Sequence, residues 1–189
     1  DATGDGVLCT GVGVTRPTVT LVGTTVRNNT GSGVEASNCI VTITGSTVSG
    51  NIGGGISLTA SSFHIANNFL IANGNGTSSS RGVTFQTIAS GLTPTTFVFN
   101  TMFENLTSSG PRSVFCSSVD KVLTLRNNLI WGVANDRDEV TVGDANCVHT
   151  YSVVGPKPYT EGTNNVDIVV AGATRENLFL SATDPVNLH

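Results

Sequence analysis

Charge is the scarcest commodity in this chain. Of 189 residues only 12% are Asp, Glu, Lys or Arg, against roughly 25% in an ordinary globular protein. The formal net charge is −4 and the few cations are scattered, so no basic stripe offers itself to nucleic acid. No apolar run approaches the ~18 residues of a membrane-spanning helix. There are 22 glycines, but no strict glycine period of the collagen kind. No Cys-x-x-Cys spacing suggests zinc. The first residues, DATGDGVLCTG, lack the charged and apolar regions of a secretory leader. They read as turn-rich interior sequence, and the expectation is a mature protein or a segment of a longer one. Abundant Thr and Asn with little Lys suit a secreted or cell-surface origin.

What fills the gap is a repeat. VTLVGTTVRNN (Val19 to Asn29) returns as VTITGSTVSGN (Val41 to Asn51) and as FHIANNFLIAN (Phe63 to Asn73), each twenty-two residues on. TTFVFNTMFEN (Thr95 to Asn105) and LTLRNNLIWGV (Leu123 to Val133) follow at longer intervals. A second block trails each copy: GVEAS, GISLT, GVTFQ, SVFCS and VTVG, beginning at Gly33, Gly55, Gly82, Ser113 and Val140. Self-similarity at this period marks a solenoid, whose single repeats cannot bury their apolar faces alone.

Apolar residues alternate with period two in segments too short and too rich in Gly and Thr for helices. Leu21, Ile43, Ile65, Phe97 and Leu125 share one inward slot; Val26, Val48, Leu70, Met102 and Ile130 share another. Val34, Ile56, Val83, Val114 and Val140 form a third column, with Ala36, Leu58, Phe85, Cys116 and Val142 beside it. Three short strands per coil with like residues stacked describe a parallel β-helix of about five to six coils. Leucine-rich repeats share the period but need a Leu-x-x-Leu-x-Leu pattern that is missing. The reading divides the chain into a partial N-terminal coil (1–18), β-helix repeats (19–147), and a last coil with an irregular segment packed on the solenoid (148–189). Asn29, Asn51, Asn73 and Asn105 occupy one slot after the second strand, where an Asn ladder between coils is expected. Asn28, Asn75 and Asn105 also open Asn-x-Thr sequons, acceptors for glycan in a eukaryotic secretory host.

The coils VTLVGTTVRNN…GVEASN and VTITGSTVSGN…GISLT resemble repeats of the pectin-lyase-like superfamily of right-handed parallel β-helices. They are especially similar to repeats in secreted bacterial proteins of unassigned function. The resemblance covers Val19 to about Val142. At the C-terminus NLFLSATDPVNLH (Asn177 to His189) is similar to a segment that closes such helices, with Glu176-Asn177 where Asp-Pro is usual. Right-handedness is what this resemblance implies.

The four cysteines fall into two pairs of matching geometry. Cys9 and Cys39 lie thirty residues apart, Cys116 and Cys147 thirty-one, each joining a third-strand slot to the turn one coil on. Cys9–Cys39 and Cys116–Cys147 disulfides are expected, and with them an oxidising compartment. Four buried thiols are the alternative.

Enzymes of the resembled superfamily generally work on acidic polysaccharides from the outer face of one sheet. The outer columns of the first strand are Thr20, Thr42, His64, Thr96, Thr124 and Val22, Thr44, Ala66, Val98, Arg126. Neither holds a carboxylate, whereas glycoside hydrolysis by the usual route needs two. A lyase needs a group that neutralises the substrate's carboxylate and a base for its α-proton; His64 and Arg126 are the candidates, two coils apart in different columns. After the second strand's inward residue, Ile71, Phe103 and Trp131 point outward on successive coils, with Phe69 and Leu129 nearby. They form either a face covered by a loop or the C-terminal segment, or a sugar- or partner-binding platform. Long loops follow in the same coils, Gly74 to Arg81, Leu106 to Arg112 and Ala134 to Glu139. Asp136, Asp138 and Glu139 are candidate Ca²⁺ ligands, unless Arg112 and Arg137 pair with them; no other cofactor is expected.

The expectation for function is an extracellular or cell-surface β-helix with a structural or binding role, toward carbohydrate or a surface component. The alternative is a polysaccharide lyase, or a fragment of one, acting on acidic polysaccharide. No nucleic acid and no membrane span are expected, and end-to-end self-association is, because terminal coils expose unpaired strand edges.

Overall fold

The computed structural model describes residues 3–77, 79–132, 138–156, 159 and 161–167. Among them the fold is a parallel β-solenoid of about six coils, three strands to the coil, built as three sheets. Sheet A runs through Val7–Thr10, Ser32–Ser37, Gly54–Thr59, Val83–Ile88 and Val114–Val119. Sheet B runs through Thr18–Val22, Ile40–Thr44, Ser62–Ala66, Thr95–Val98, Thr124–Arg126 and His149–Thr150. Sheet C runs through Thr25–Arg27, Thr47–Ser49, Phe69–Ile71, Thr101–Phe103, Leu129–Trp131, Val153–Gly155 and Val166–Asp167. Each coil passes through sheet B, then C, then A.

The registers stack the inward columns as the repeat predicts. Leu21, Ile43, Ile65, Phe97 and Leu125 pair in series across sheet B, and Val26, Val48, Leu70, Met102 and Ile130 across sheet C. Phe63 stacks on Phe85 at 4.5 Å between ring centres, and Phe97 meets Phe85 edge-on at 5.8 Å. These three rings lie fully buried in the middle of the solenoid core. The sixth coil, whose VHTYSVVG carries little of the pattern, still continues the columns with His149 after Leu125 and Val154 after Ile130.

One column ends early. Val140 forms a single bridge with Val114, and Val142, expected beside it in the core, is 48% exposed. Thr141 diverts the chain: its backbone N–H donates to Val114 O, and its hydroxyl accepts the Cys116 N–H at 2.8 Å. With that donor satisfied by a side chain, no further strand is needed to complete sheet A, and the chain leaves it.

Two of the three corners of the coil use one device throughout. A residue with positive φ turns the chain, and the next residue sends its side chain along the solenoid axis to the adjacent coil. Between sheets C and A the turning residues include Asn28, Gly50, Ala72 and Glu104, and the axial residues are Asn29, Asn51, Asn73 and Asn105. Their amides bond in series at 2.7, 2.9 and 3.1 Å, all four buried. A second ladder, not foreseen from the repeat, lines the corner between sheets B and C. It runs from Thr24 through Ser46, Asn68, Asn100, Asn128 and Ser152 to Asn165. At the corner between A and B a single rung occurs, Ser61 accepting the Cys39 N–H at 3.0 Å, and Ile88 and Val119 take the same place in later coils. Buried corner amides that would lack water are thereby satisfied.

The disulfides are Cys9–Cys39 and Cys116–Cys147, with Cα separations of 6.5 and 6.3 Å. All four residues are buried and no free cysteine remains. The second pair closes the coil at the point where sheet A stops. Arg16 secures the same corner near the first, donating from one guanidinium nitrogen to Cys39 O and Ala60 O at 3.0 and 2.9 Å. Two disulfides are consistent with an oxidising environment. Replacing Cys9 and Cys39 together with Ala is expected to cost ~3 kcal/mol, read as a lower midpoint in urea unfolding.

Candidate functional site

The outer face of sheet B carries the candidates His64 and Arg126, in the columns foreseen. Thr20, Thr42, His64, Thr96 and Thr124 lie in register, as do Val22, Thr44, Ala66, Val98 and Arg126. His64 Nδ1 is 2.7 Å from Thr96 Oγ1, so the imidazole is tied into the Thr row. Arg126 stands exposed two coils further on, in the other column. The two are not brought together over one reacting atom.

The outward residues of sheet C are also accounted for. Ile71 and Phe103 are buried, Trp131 is half-buried, and with Phe69 and Leu129 they form an apolar cluster separate from the solenoid core. Ile71 and Phe103 are closed off by packing, while Phe69, Leu129 and Trp131 stay partly accessible. Of the acidic candidates, Asp136 lies outside the described residues. Asp138 is half-buried, and Glu139 is 1% exposed. Glu139 accepts a bond from Ser113 Oγ at 2.8 Å and faces Arg112 at 3.7 Å. Gly132 packs so tightly on it that a Cβ there would fall 1.7 Å from the carboxylate. This carboxylate is a buried partner of Arg112 and Ser113 within the fold. No cluster of three or more metal-ligating side chains occurs among the described residues. Of the sequon residues, Asn28 and Asn75 are exposed, whereas Asn105 is a buried ladder rung that also donates to Leu70 O at 2.9 Å.

A different face holds a groove. Over sheet A a cleft of about 420 Å³ opens, lined among others by Glu35, Ser57, Arg81, Thr84 and Gln86. Alternation within GVEAS, GISLT, GVTFQ and SVFCS puts Glu35, Ser57, Thr84 and Phe115 in one outward column, paired coil to coil. Ser37, Thr59, Gln86 and Ser117 form the next, and Thr59 Oγ1 lies 3.4 Å from Gln86 Oε1. The loop ending at Arg81 supplies one wall, with Ser79 and Ser80.

Arg81 organises that wall. Its guanidinium carbon stands 4.0 Å above the centre of the Phe115 ring, one nitrogen donates to Ser79 O, and another donates to Ser109 O at 3.3 Å. The loops 74–81 and 106–112 are thus joined through one cation held on an aromatic face. Burial draws the Arg81 guanidinium below its ordinary value. Opposite it, Glu35 is exposed on the same sheet face, and Gly54 adopts φ +118°, where a Cβ would lie 2.8 Å from Arg81 O. Only glycine allows the loop to sit this close to the strand.

No family model, curated protein or solved structure matches this chain. What the molecule can do is therefore read from its own surfaces. Sequence reasoning singled out the long loops but examined the outward columns of sheet B. The groove's signal lay in the third strand, where the outward column changes from Glu to Ser, Thr and Phe while the inward one stays aliphatic.

Proposed function

We propose that this protein is a secreted or cell-surface β-helix of the pectin-lyase-like type that binds carbohydrate in the groove over sheet A. The observation that carries this reading is the grouping of Glu35, Ser57, Thr84 and Gln86 on a rigid strand face beside Arg81 stacked on Phe115. A carboxylate, an amide and a guanidinium offer both acceptors and donors, which is what vicinal sugar hydroxyls require. Phe115 holds the Arg81 guanidinium over its ring, which presents the cation in a fixed place at the groove wall. The side chains sit on strands, whose backbone is fixed by neighbours on both sides, so little order has to be gained on binding. Two disulfides support an oxidising location, and the three-sheet solenoid supports the superfamily resemblance.

Lyase chemistry has less support. His64 is engaged by Thr96 on the flat face of sheet B, away from the groove, and Arg126 belongs to another column.

A glycan array with the purified chain tests the proposal. Retention of particular neutral oligosaccharides is expected, with Kd raised at least tenfold in Arg81→Gln and in Gln86→Ala, a loss of ~1.4 kcal/mol. Equal binding by the parent and both variants would remove the groove from consideration.

A further inference from the structure

The stretch ANGNGT, Ala72 to Thr77, holds two Asn-Gly pairs, one directly after the other, and the sequence has no third. In such a pair the backbone nitrogen of the glycine can attack the carboxamide before it, because no Cβ obstructs the approach. The two pairs share this local chemistry and stand in opposite surroundings.

Asn73 is a buried rung of the ladder between sheets C and A. Its amide nitrogen donates to Asn105 Oδ1 and Val48 O, and its oxygen accepts from Asn51. The Gly74 N–H donates to Asn51 O at 2.8 Å. Carboxamide and attacking nitrogen are both held, so turning one toward the other means opening the coil. Asn75 and Gly76 are exposed. Asn75 Oδ1 accepts the Thr77 N–H at 3.0 Å, which folds the carboxamide over the backbone in a ring that includes the Gly76 nitrogen and polarises its C=O. The Gly76 N–H has no hydrogen-bond partner among the described residues. A Cβ at Gly76, where φ is +71°, would meet nothing within 4 Å, so water and base reach the pair from an open side.

We infer that Asn75 is a site of spontaneous, one-way modification to aspartate and isoaspartate, and that the fold spares Asn73. The Gly76 nitrogen, giving up its proton, bonds to Asn75 Cγ and closes a five-membered imide. The Cγ–Nδ2 bond breaks, and the nitrogen leaves as ammonia. Water then opens the ring at either carbonyl. Cleavage at Cγ leaves aspartate in the normal backbone; cleavage at the main-chain carbonyl leaves isoaspartate, with the chain routed through Cγ. No oxidant, reductant or enzyme is required. The product adds a negative charge, and in the second case a backbone carbon, to the loop that ends at Arg81. The inference stands whatever the groove over sheet A binds.

The test is to hold the whole chain, made in a bacterial host so that Asn75 carries no glycan, for days in mildly alkaline buffer at body temperature. Peptide mass mapping with electron-based fragmentation then reads each pair separately and distinguishes aspartate from isoaspartate. Asn75 is expected to gain one mass unit, faster as pH rises, while Asn73 converts at least ~100-fold more slowly, in proportion to the small population of opened coil. In urea, where the fold is lost, the two pairs are expected to convert at similar rates. Asn75→Gln is expected to abolish the change at that position, and Gly76→Ala to slow it roughly tenfold by shielding the nitrogen, both with little effect on the melting temperature. No mass gain at Asn75, or equal conversion of Asn73 and Asn75 in the folded chain, would overturn the inference.

Discussion

Asn73→Ala is expected to lower stability by about 4 kcal/mol, roughly 10 °C in Tm for a chain of this size. Asn73 is fully buried. Its amide nitrogen donates to Asn105 Oδ1 at 3.1 Å and to Val48 O at 2.9 Å. Its oxygen accepts from the Asn51 side chain at 2.9 Å and from the Asn51 backbone at 3.3 Å. Truncation removes all four bonds and leaves donors and acceptors in a space without water, each costing about 1–3 kcal/mol. Gly55 packs against the same amide, with a Cβ position 3.1 Å from its nitrogen, so neighbours have little freedom to close the gap. A control separates the ladder from the corner: Asn67→Gly changes an exposed turning residue of φ 58° and is expected to be neutral or slightly stabilising. Thermal melts of the two variants side by side provide the measurement.

Acid is expected to open the sixth coil. His149 occupies the core column directly after Leu125. It is fully buried, and neither ring nitrogen has a hydrogen-bond partner among the described residues. The Tyr159 ring meets it edge-on at 6.1 Å, and the tyrosine hydroxyl accepts the His149 backbone N–H at 3.3 Å. Burial lowers the imidazole pKa from 6.5 to about 3. The unfolded segment therefore takes up a proton that the folded one refuses. Stability is fully present above pH 6.5 and is lost progressively as pH falls toward about 3. That loss is of the order of 5 kcal/mol if the whole shift is expressed. It falls on the sixth coil, at the end of the described part of sheet B, so local opening is expected before global unfolding. Hydrogen exchange at decreasing pH should show amides of 147–155 losing protection ahead of those in 40–71. His149→Leu, which extends the aliphatic column, is expected to abolish that difference.

The sequence made the architecture legible because a solenoid writes its core in columns. Val41, Ile43 and Val48 in one coil state the same constraint as Phe63, Ile65 and Leu70 in the next, and the parallel register follows once they are aligned. The Asn ladder was equally visible, since Asn29, Asn51, Asn73 and Asn105 hold one slot. Its counterpart at the corner between sheets B and C was hidden by its chemistry. Ser46, Asn68 and Ser152 perform one hydrogen-bonding task with two side-chain types, so identity does not repeat although geometry does. Val142 was misplaced because alternation alone cannot show that Thr141 uses its hydroxyl to end the sheet. The site was less legible for a related reason. A groove depends on how the loops 74–81 and 106–112 stand over the strands, and the stacking of Arg81 on Phe115 joins residues thirty-four apart with no periodic relation. Cys9–Cys39 and Cys116–Cys147 were readable from spacing, because the coil length places their ends at adjacent turns.

The claim that matters most is that the groove over sheet A is a carbohydrate site, and Phe115 is its most direct probe. Phe115→Ala removes the ring that holds Arg81 in place at the groove wall without touching the inward core column of that strand, Val114 and Cys116. Titration of the oligosaccharide best retained on an array, followed by calorimetry on the parent and on Phe115→Ala, decides it. The prediction is a measurable Kd for the parent, raised at least tenfold in the variant, with the melting temperature shifted by only a few degrees. An affinity that is the same in both would contradict it.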